Sequence, residues 1–216
     1  FLKSSIGKKV VMGLTGLFLV SFLVIHVSIN ACIFFNDGGQ TFNAAADFMV
    51  YIFVIRILEI GLLAGLILHA VQALILTMQN KKARPVAYAK VDGAANSKWY
   101  SRSMGVLGSL LLMFLVVHFA NFWFPTKVAV FSHQEHNTFE SMKVVFDQWY
   151  FVAIYLLGVG ALCYHLLHGV QSAFQSLGLN HKNYTPTIKS FGVWFSIIVS
   201  LLFASMPIVM FLHIIQ

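Results

Sequence analysis

The 216-residue chain has little charge and few cysteines. Only 10% of its residues are charged and 59% are hydrophobic, with a mean hydropathy of +0.81. A soluble domain has about 25% charged and roughly 45–50% apolar residues, so an ordinary water-soluble fold is excluded. The sequence predicts a membrane protein with a single domain, residues 1–216, and almost no extramembrane mass.

The two cysteines, Cys32 and Cys163, belong to neither a CxxC nor a CxxCH motif. Their isolation excludes four-cysteine iron–sulfur ligation, c-type haem attachment and zinc ribbons. Acidic residues are also scarce, at 7 against 14 basic ones, which gives a formal net charge of +7. We interpret this excess as a sign of membrane topology and of a basic face that binds anionic lipid or a docked subunit. Nucleic-acid binding is not needed to explain it.

Five apolar segments are each long enough to cross a hydrocarbon core of about 30 Å. The predicted fold class is therefore an all-α membrane protein with five transmembrane helices in a bundle. The predicted helices cover residues 10–35, 48–78, 104–124, 149–177 and 191–215.

Basic residues predict the orientation of these helices. The N-terminal stretch, the second loop and the fourth loop together hold eleven of the fourteen lysines and arginines. The two other loops hold Lys127 and Lys143 beside most of the acidic residues. By the positive-inside rule the N-terminus lies in the cytoplasm and the last helix ends outside.

Histidine is abundant, with nine residues, and several lie inside the apolar runs, where ionisable side chains are costly and usually functional. They belong to a repeat. MGxxG at Met12 precedes His26 by the same 14-residue step that separates Met104 from His118. LHxVQ recurs around His69 and His168, with His165 one turn earlier. This two-plus-two repeat predicts equivalent residues on facing helices.

Helix rise gives the repeat a chemical meaning. At about 1.5 Å per residue, His26 and His118 share a level roughly 24 Å from the inner end, and His69 and His165 share a level nearer the cytoplasm. Two facing imidazoles can occupy both axial positions of an iron, so the pattern predicts two bis-histidine haems b stacked across the membrane. The competing interpretation of each histidine is packing or proton transfer.

Further residues are assigned to the haems. Glycines let a flat macrocycle approach a helix, although any single one also suits close helix packing. Donors at the inner end would satisfy haem propionates, although an interfacial belt explains them equally well. The candidate cofactor-binding residues are Gly16, Gly108, Gly169, Ser101, Arg102 and Lys98.

The fourth ligand stays open between two residues. The LHxVQ alignment favours His168, whereas a small residue four positions later favours His165, as with His69 and Ala73. We take His165 as the ligand and His168 as the alternative. The remaining histidines, which receive no ligand role, are His133, His136, His181 and His213.

Five helices with His26, His69, His118 and His165-x-x-x-Gly169 resemble the dihaem cytochrome b membrane anchor of succinate dehydrogenases and fumarate reductases. The resemblance implies that His26 and His118 bind the distal haem iron, and His69 and His165 the proximal one. It implies a flavoprotein subunit with covalent FAD and an iron–sulfur subunit on the cytoplasmic face, near the basic loop that ends at Arg102.

The resemblance further implies electron transfer to a quinone, commonly menaquinone, in a bacterial cytoplasmic (inner) membrane, and it allows a dimer of heterotrimers. Whether the enzyme oxidises succinate or reduces fumarate stays open. Some fumarate reductases of this family have a glutamate where this chain has Cys163, so the same proton route is not assumed.

Polar residues near the outer end are candidates for the quinone site. Arg56 and Glu59, spaced i,i+3, are expected to pair, with a structural or a quinone-binding role. Asn30 and Asn121 lie just beyond the distal ligands. Two alternatives to the whole interpretation are a cytochrome b subunit of a formate dehydrogenase or hydrogenase, and a haem-free transporter or scaffold.

Overall fold

The computed structural model of the chain describes residues 4–82, 99–134 and 136–215, and this part of the chain is helical without strands. The helices are α1 (Ser5–Asn30), α2 (Gln40–Tyr51), α3 (Phe53–Lys82), α4 (Trp99–Arg102), α5 (Met104–His118), α6 (Phe124–Phe131), α7 (Thr138–Phe146), α8 (Trp149–Ser176) and α9 (Thr185–Phe211). A 3₁₀ turn (Ala31–Phe35) follows α1, and a π turn (Phe119–Trp123) joins α5 to α6.

Five spans are long and apolar enough to cross a membrane, as the sequence predicts. They are Ile6–Phe35, Phe53–Asn80, Met104–Phe131, Trp149–Ser176 and Thr185–Phe211. The chain is therefore a multi-pass membrane protein. α8 is the central helix, because it packs against α1, α5 and α9, whereas α3 packs mainly against α1.

The first span begins at Ile6 rather than at residue 10 and the fifth ends at Phe211 rather than at residue 215, and three further boundaries differ for local reasons. The second span begins at Phe53 rather than Phe48, because extended backbone at Ile52 (ψ 124°) ends α2 first. The third continues beyond Phe124, since the π turn widens the helix just before Pro125, which has no N–H to donate. The fifth begins six residues before the predicted Phe191, with Pro186 in its first turn, where the missing N–H costs nothing.

One end of the bundle is closed by the two short helices α2 and α7, and we call it the capped end. The Asn43 side chain accepts a hydrogen bond from the Phe139 N–H and donates one to Asn137, both at 3.0 Å. The Phe139 ring lies where a Cβ on Gly39 (φ 80°) would be, so the two helices meet only because residue 39 is glycine. Much of the buried core lies here, including Ile33, Phe42 and Phe146.

The opposite end, where α1 and α9 begin and α3 and α8 end, we call the basic end. Its described residues carry no carboxylate side chain, whereas all five described acidic residues lie toward the capped end. One of these, Asp37, accepts hydrogen bonds from the hydroxyl and the backbone N–H of Thr41, which lower the pKa of its carboxyl. The basic side chains described at the basic end are Lys8, Lys9, Lys82, Arg102, Lys182 and Lys189.

Candidate functional site

The structure brings His26 of α1 and His118 of α5 together near the capped end. Their ring centroids lie 5.7 Å apart and the ring planes are nearly perpendicular, at 85°. Both residues lie one turn or less from the ends of their α-helices, in helices that run in the same direction through the bundle. We call these two residues the capped-end pair.

A second contact joins His69 of α3 to His165 of α8 toward the basic end. The ring centroids are 6.3 Å apart and the planes make an angle of 69°. His168, the alternative fourth ligand, has no such ring contact among the described residues, so the structure brings His165 to His69. We call His69 and His165 the basic-end pair.

Both separations can be compared with those of two ligands on one metal ion. Two metal–imidazole bonds of about 2 Å each, plus the distance from a ring nitrogen to its own centroid, place two trans ligands about 6 Å apart. The angle between the ring planes does not enter this comparison, since each ring can turn about its metal–nitrogen bond. The basic-end pair, at 6.3 Å, has this spacing, and the capped-end pair, at 5.7 Å, is about half an ångström short of it.

Each pair offers only two donors. Among the described residues there is no group of three or more histidine, cysteine, aspartate or glutamate side chains that could hold a bare metal ion. A two-imidazole site binds a metal well only when another molecule supplies the remaining ligands, as a porphyrin does for iron. The donor set therefore fits a macrocyclic cofactor better than a transported cation.

The second ring nitrogen of His69 has a defined role. The Thr15 hydroxyl lies 2.8 Å from the Val11 carbonyl and 3.1 Å from Nδ1 of His69. In the tautomer that has its proton on Nδ1, Thr15 accepts from His69, and Nε2 keeps its lone pair free for a metal. Sequence analysis missed Thr15, because its partner is 54 positions away and no motif links them.

His165 differs from His69 in this respect. Its Nδ1 is buried without a hydrogen-bond partner among the described residues. Buried polar atoms nearly always have a hydrogen-bond partner, and the described protein atoms supply none to this nitrogen. If His165 binds a metal through Nε2, as assigned to His69, its Nδ1 lacks the second-shell acceptor that Thr15 gives His69.

Glycines surround the basic-end pair. A Cβ on Gly16 would lie 3.5 Å from Cε1 of His69, and one on Gly108 would lie 3.9 Å from Cε1 of His165. Gly169 is also adjacent, since its Cβ would lie 3.9 Å from Cδ2 of His165. Gly13 instead suits helix packing, because its Cβ would lie 3.2 Å from the carbonyl oxygen of Ala173.

Aromatic rings surround the capped-end pair. Phe22 and Phe203 lie 5.3 and 5.5 Å from the ring of His26. Phe114 and Phe122 lie 5.8 and 5.6 Å from the ring of His118. These contacts hold both imidazoles in place.

Two asparagines of the predicted quinone site lie beside the capped-end pair. The Asn30 amide nitrogen is 3.4 Å from Nδ1 of His26 and donates to the carbonyl of the same residue at 2.8 Å. Asn121 donates to the Tyr155 hydroxyl at 3.4 Å, and that hydroxyl is 3.4 Å from Nδ1 of His118. Sequence analysis did not identify Tyr155, which reaches His118 from α8.

The expected pairing of Arg56 with Glu59 is wrong. Glu59 instead accepts from Lys127 and from the Trp123 indole nitrogen, both at 2.6 Å. The ion pair is largely shielded, with 13% of the lysine and 22% of the glutamate side chain exposed. Sequence analysis placed Lys127 in a loop, whereas α6 continues past Pro125 and carries it to α3.

The predicted propionate donors lie at the basic end. Ser101 and Arg102 belong to α4, which packs against α5 and α8, and Lys98 lies outside the described residues. Trp99 makes an edge contact with Tyr164 at 5.7 Å, which holds α4 on α8 one residue before His165. The four histidines without an assigned role include His213, whose Nε2 is 3.7 Å from Asp147.

Comparison with known proteins adds no relative. No protein-family model, curated protein or solved structure matches the chain.

Proposed function

We propose that this chain is the dihaem cytochrome b membrane anchor of a succinate:quinone oxidoreductase. In this proposal it transfers electrons between a docked iron–sulfur subunit and a quinone, with menaquinone as the favoured type. The observation that carries the proposal is the pair of two-histidine contacts at 5.7 and 6.3 Å, each joining two helices and each without a third donor among the described residues.

The proposed ligands are His26 and His118 for one haem, and His69 and His165 for the other. The haem irons, when bound, supply one-electron oxidation and reduction. Thr15 holds the proton on Nδ1 of His69, which makes that imidazole a stronger donor through Nε2. The glycines beside the basic-end pair give a flat macrocycle room at the helix backbones.

The two proposed haem sites lie at different depths in the bundle, which suits electron transfer across it. On α8, Tyr155 contacts the capped-end pair and His165 belongs to the basic-end pair. Ten residues separate these positions, which corresponds to about 15 Å along the helix axis. An electron that reaches the proposed haem site at one end can therefore pass to the second site before it reaches the opposite face.

The basic end is the proposed docking face for the iron–sulfur subunit, beyond which lies the flavoprotein with FAD. The absence of carboxylates among its described residues favours an acidic partner surface. By the positive-inside rule this face is cytoplasmic, and the family resemblance implies a bacterial inner membrane. Succinate or fumarate chemistry then takes place on the partner chains.

Quinone chemistry is proposed at the capped end, near Asn30, Asn121, Arg56 and Glu59. The shielded carboxylate of Glu59, which accepts from Lys127 and Trp123, is a candidate proton acceptor for a quinol. Replacement of Glu59 by glutamine would then lower quinone turnover. Unchanged turnover would remove this residue from the site.

The experiment that tests the proposal is a reduced-minus-oxidised spectrum of the purified chain, with haem measured as the pyridine haemochrome. We expect two b haems per chain, and reduction by succinate in membranes that contain the whole complex. His181→Ala is a matched control, since it removes an exposed histidine of the basic end and should leave haem content unchanged.

Other outcomes identify the alternatives. A chain without haem is a transporter or scaffold, and its histidines serve packing or proton transfer. Two haems that are reduced by formate or hydrogen, and not by succinate, indicate the cytochrome b subunit of a different quinone-linked dehydrogenase.

A further inference from the structure

A groove between α8 and α9 lies midway between the two histidine pairs. Its volume is about 240 Å³, and its walls include Leu156, Val159 and Cys163 of α8 and Ile197, Ser200 and Leu201 of α9. Tyr155, at one end, contacts His118, and His165, two residues beyond Cys163, contacts His69. Along α8 the groove thus lies at a level between the two candidate redox sites.

One polar atom in this groove lacks a partner. Ser200 is only 6% exposed, and its hydroxyl has no hydrogen bond within the described part of the chain. Ser196, one turn earlier on the same helix, donates to the Gly192 carbonyl at 2.6 Å. Ser28 and Ser109 bond to their own helices in the same way. The Ser200 hydroxyl is therefore left for a molecule in the groove, because a buried hydroxyl without a partner is costly.

The walls indicate the chemistry of that molecule. Every lining residue is neutral and most are apolar, which excludes an ionic ligand. Leu201 is 65% exposed, so the groove opens on the surface of the bundle, which faces lipid in a membrane. The ligand is accordingly neutral and membrane-soluble, with an apolar body and a group that can pair with one hydroxyl.

We propose that this groove binds the head group of a membrane quinone, with the Ser200 hydroxyl donating to a quinone carbonyl. The proposal rests on the proposed function and adds a second quinone position, separate from the one at Asn30 and Glu59. A phospholipid acyl chain would fill the apolar walls equally well, but it has no acceptor for Ser200. A quinone has both a flat apolar ring and a carbonyl acceptor.

Cys163 allows the groove to be tested directly, because it lines the wall. Cys32→Ser leaves Cys163 as the only thiol of the chain. The rate at which a small apolar maleimide modifies Cys163 is measured in nanodiscs with increasing dimethylnaphthoquinone. Both methyl groups of this probe are on the quinone ring, so it cannot add to the thiol. Dimethylnaphthalene, which has the same rings without carbonyls, is the control ligand.

We expect the quinone to slow modification severalfold and the naphthalene to have little effect. Ser200→Ala should raise the quinone concentration for half-protection roughly two- to tenfold, as expected for one hydrogen bond. Ser200→Thr, which keeps a hydroxyl, should restore it. Ser196→Ala is the matched control, because that hydroxyl already bonds within its helix.

Three results would overturn the proposal. Modification at an unchanged rate means that no quinone enters the groove. Equal protection by the naphthalene, or protection unaltered in Ser200→Ala, means that the groove holds any apolar molecule, such as a lipid chain. The measurement needs neither haem nor a partner subunit, so these failures are distinct from a failure to find haem.

Discussion

The two histidine pairs occupy equivalent places in the sequence repeat and have different surroundings. Five phenylalanines contact the capped-end pair, whereas glycines and one threonine contact the basic-end pair. Large rings hold imidazoles by packing, and glycines leave space for a flat molecule. The two halves of the repeat therefore have the same histidines but different neighbours.

The distances between ring centroids also differ between the two pairs. The basic-end pair lies at 6.3 Å, about the spacing of two ligands on one metal ion, whereas the capped-end pair lies at 5.7 Å. The capped-end rings must therefore move apart by about half an ångström to accept a metal. We infer that the basic-end site is preorganised and that the capped-end site depends on its aromatic shell.

The largest expected effect comes from the proposed haem ligands. His165→Ala should lower the haem content from two to one per chain, because no other imidazole contacts His69 among the described residues. His168→Ala should keep both haems. Pyridine haemochrome measurements on both variants decide between them, and loss of a haem only in His168→Ala would show that the fourth ligand is misassigned.

Steric blocking of the basic-end site ranks second. Gly108→Val places methyl groups beside His165, whose Cε1 is already 3.9 Å from the Cβ position, and should displace most of that haem. Gly105→Val, one turn earlier on α5, has nothing within 4 Å and should retain it. The haem-to-protein ratio is the measurement. Equal retention would mean that Gly108 serves helix packing alone.

The aromatic shell is tested by Gly158→Ala. The Phe114 ring occupies the place of a Cβ at Gly158, and it stacks on His118 at 5.8 Å. Overpacking here should cost about 1–3 kcal/mol of stability and disturb only the capped-end haem spectrum. Gly160→Ala, with nothing within 4 Å, is the control. Thermal unfolding in detergent compares the two, and similar midpoints would contradict a rigid shell.

The sequence predicts the spans well because a long continuous apolar run forms a spanning helix in a membrane. It fails at the ends, where local backbone decides. Ile52 ends α2 before the second span, and a π turn carries the third span past Pro125. Neither feature has a hydrophobic signature, so apolar run length alone places these boundaries several residues away.

The pairing of the histidines is predictable for a different reason. Helix rise is fixed, so counting residues gives the level of each ring in the bundle. Rotation of each helix about its axis is not given by counting. The contacts of Thr15, Tyr155 and Lys127 depend on that rotation, and the expected partner of Glu59 was wrong for this reason.

The smallest expected effect comes from replacing Thr15, which tests the comparison between the two histidine pairs without removing a histidine. Thr15→Val keeps the shape of the side chain and removes the acceptor at 3.1 Å from Nδ1 of His69. That imidazole becomes a weaker donor, which favours reduced iron, so the midpoint potential of the basic-end haem should rise. One hydrogen bond corresponds to roughly 20–60 mV. Thr15→Ser should keep the original potential, and the capped-end haem should be unchanged in both variants. Redox titration resolves the two haems, and a rise in the capped-end potential alone would reverse the assignment of Thr15 to the basic-end pair.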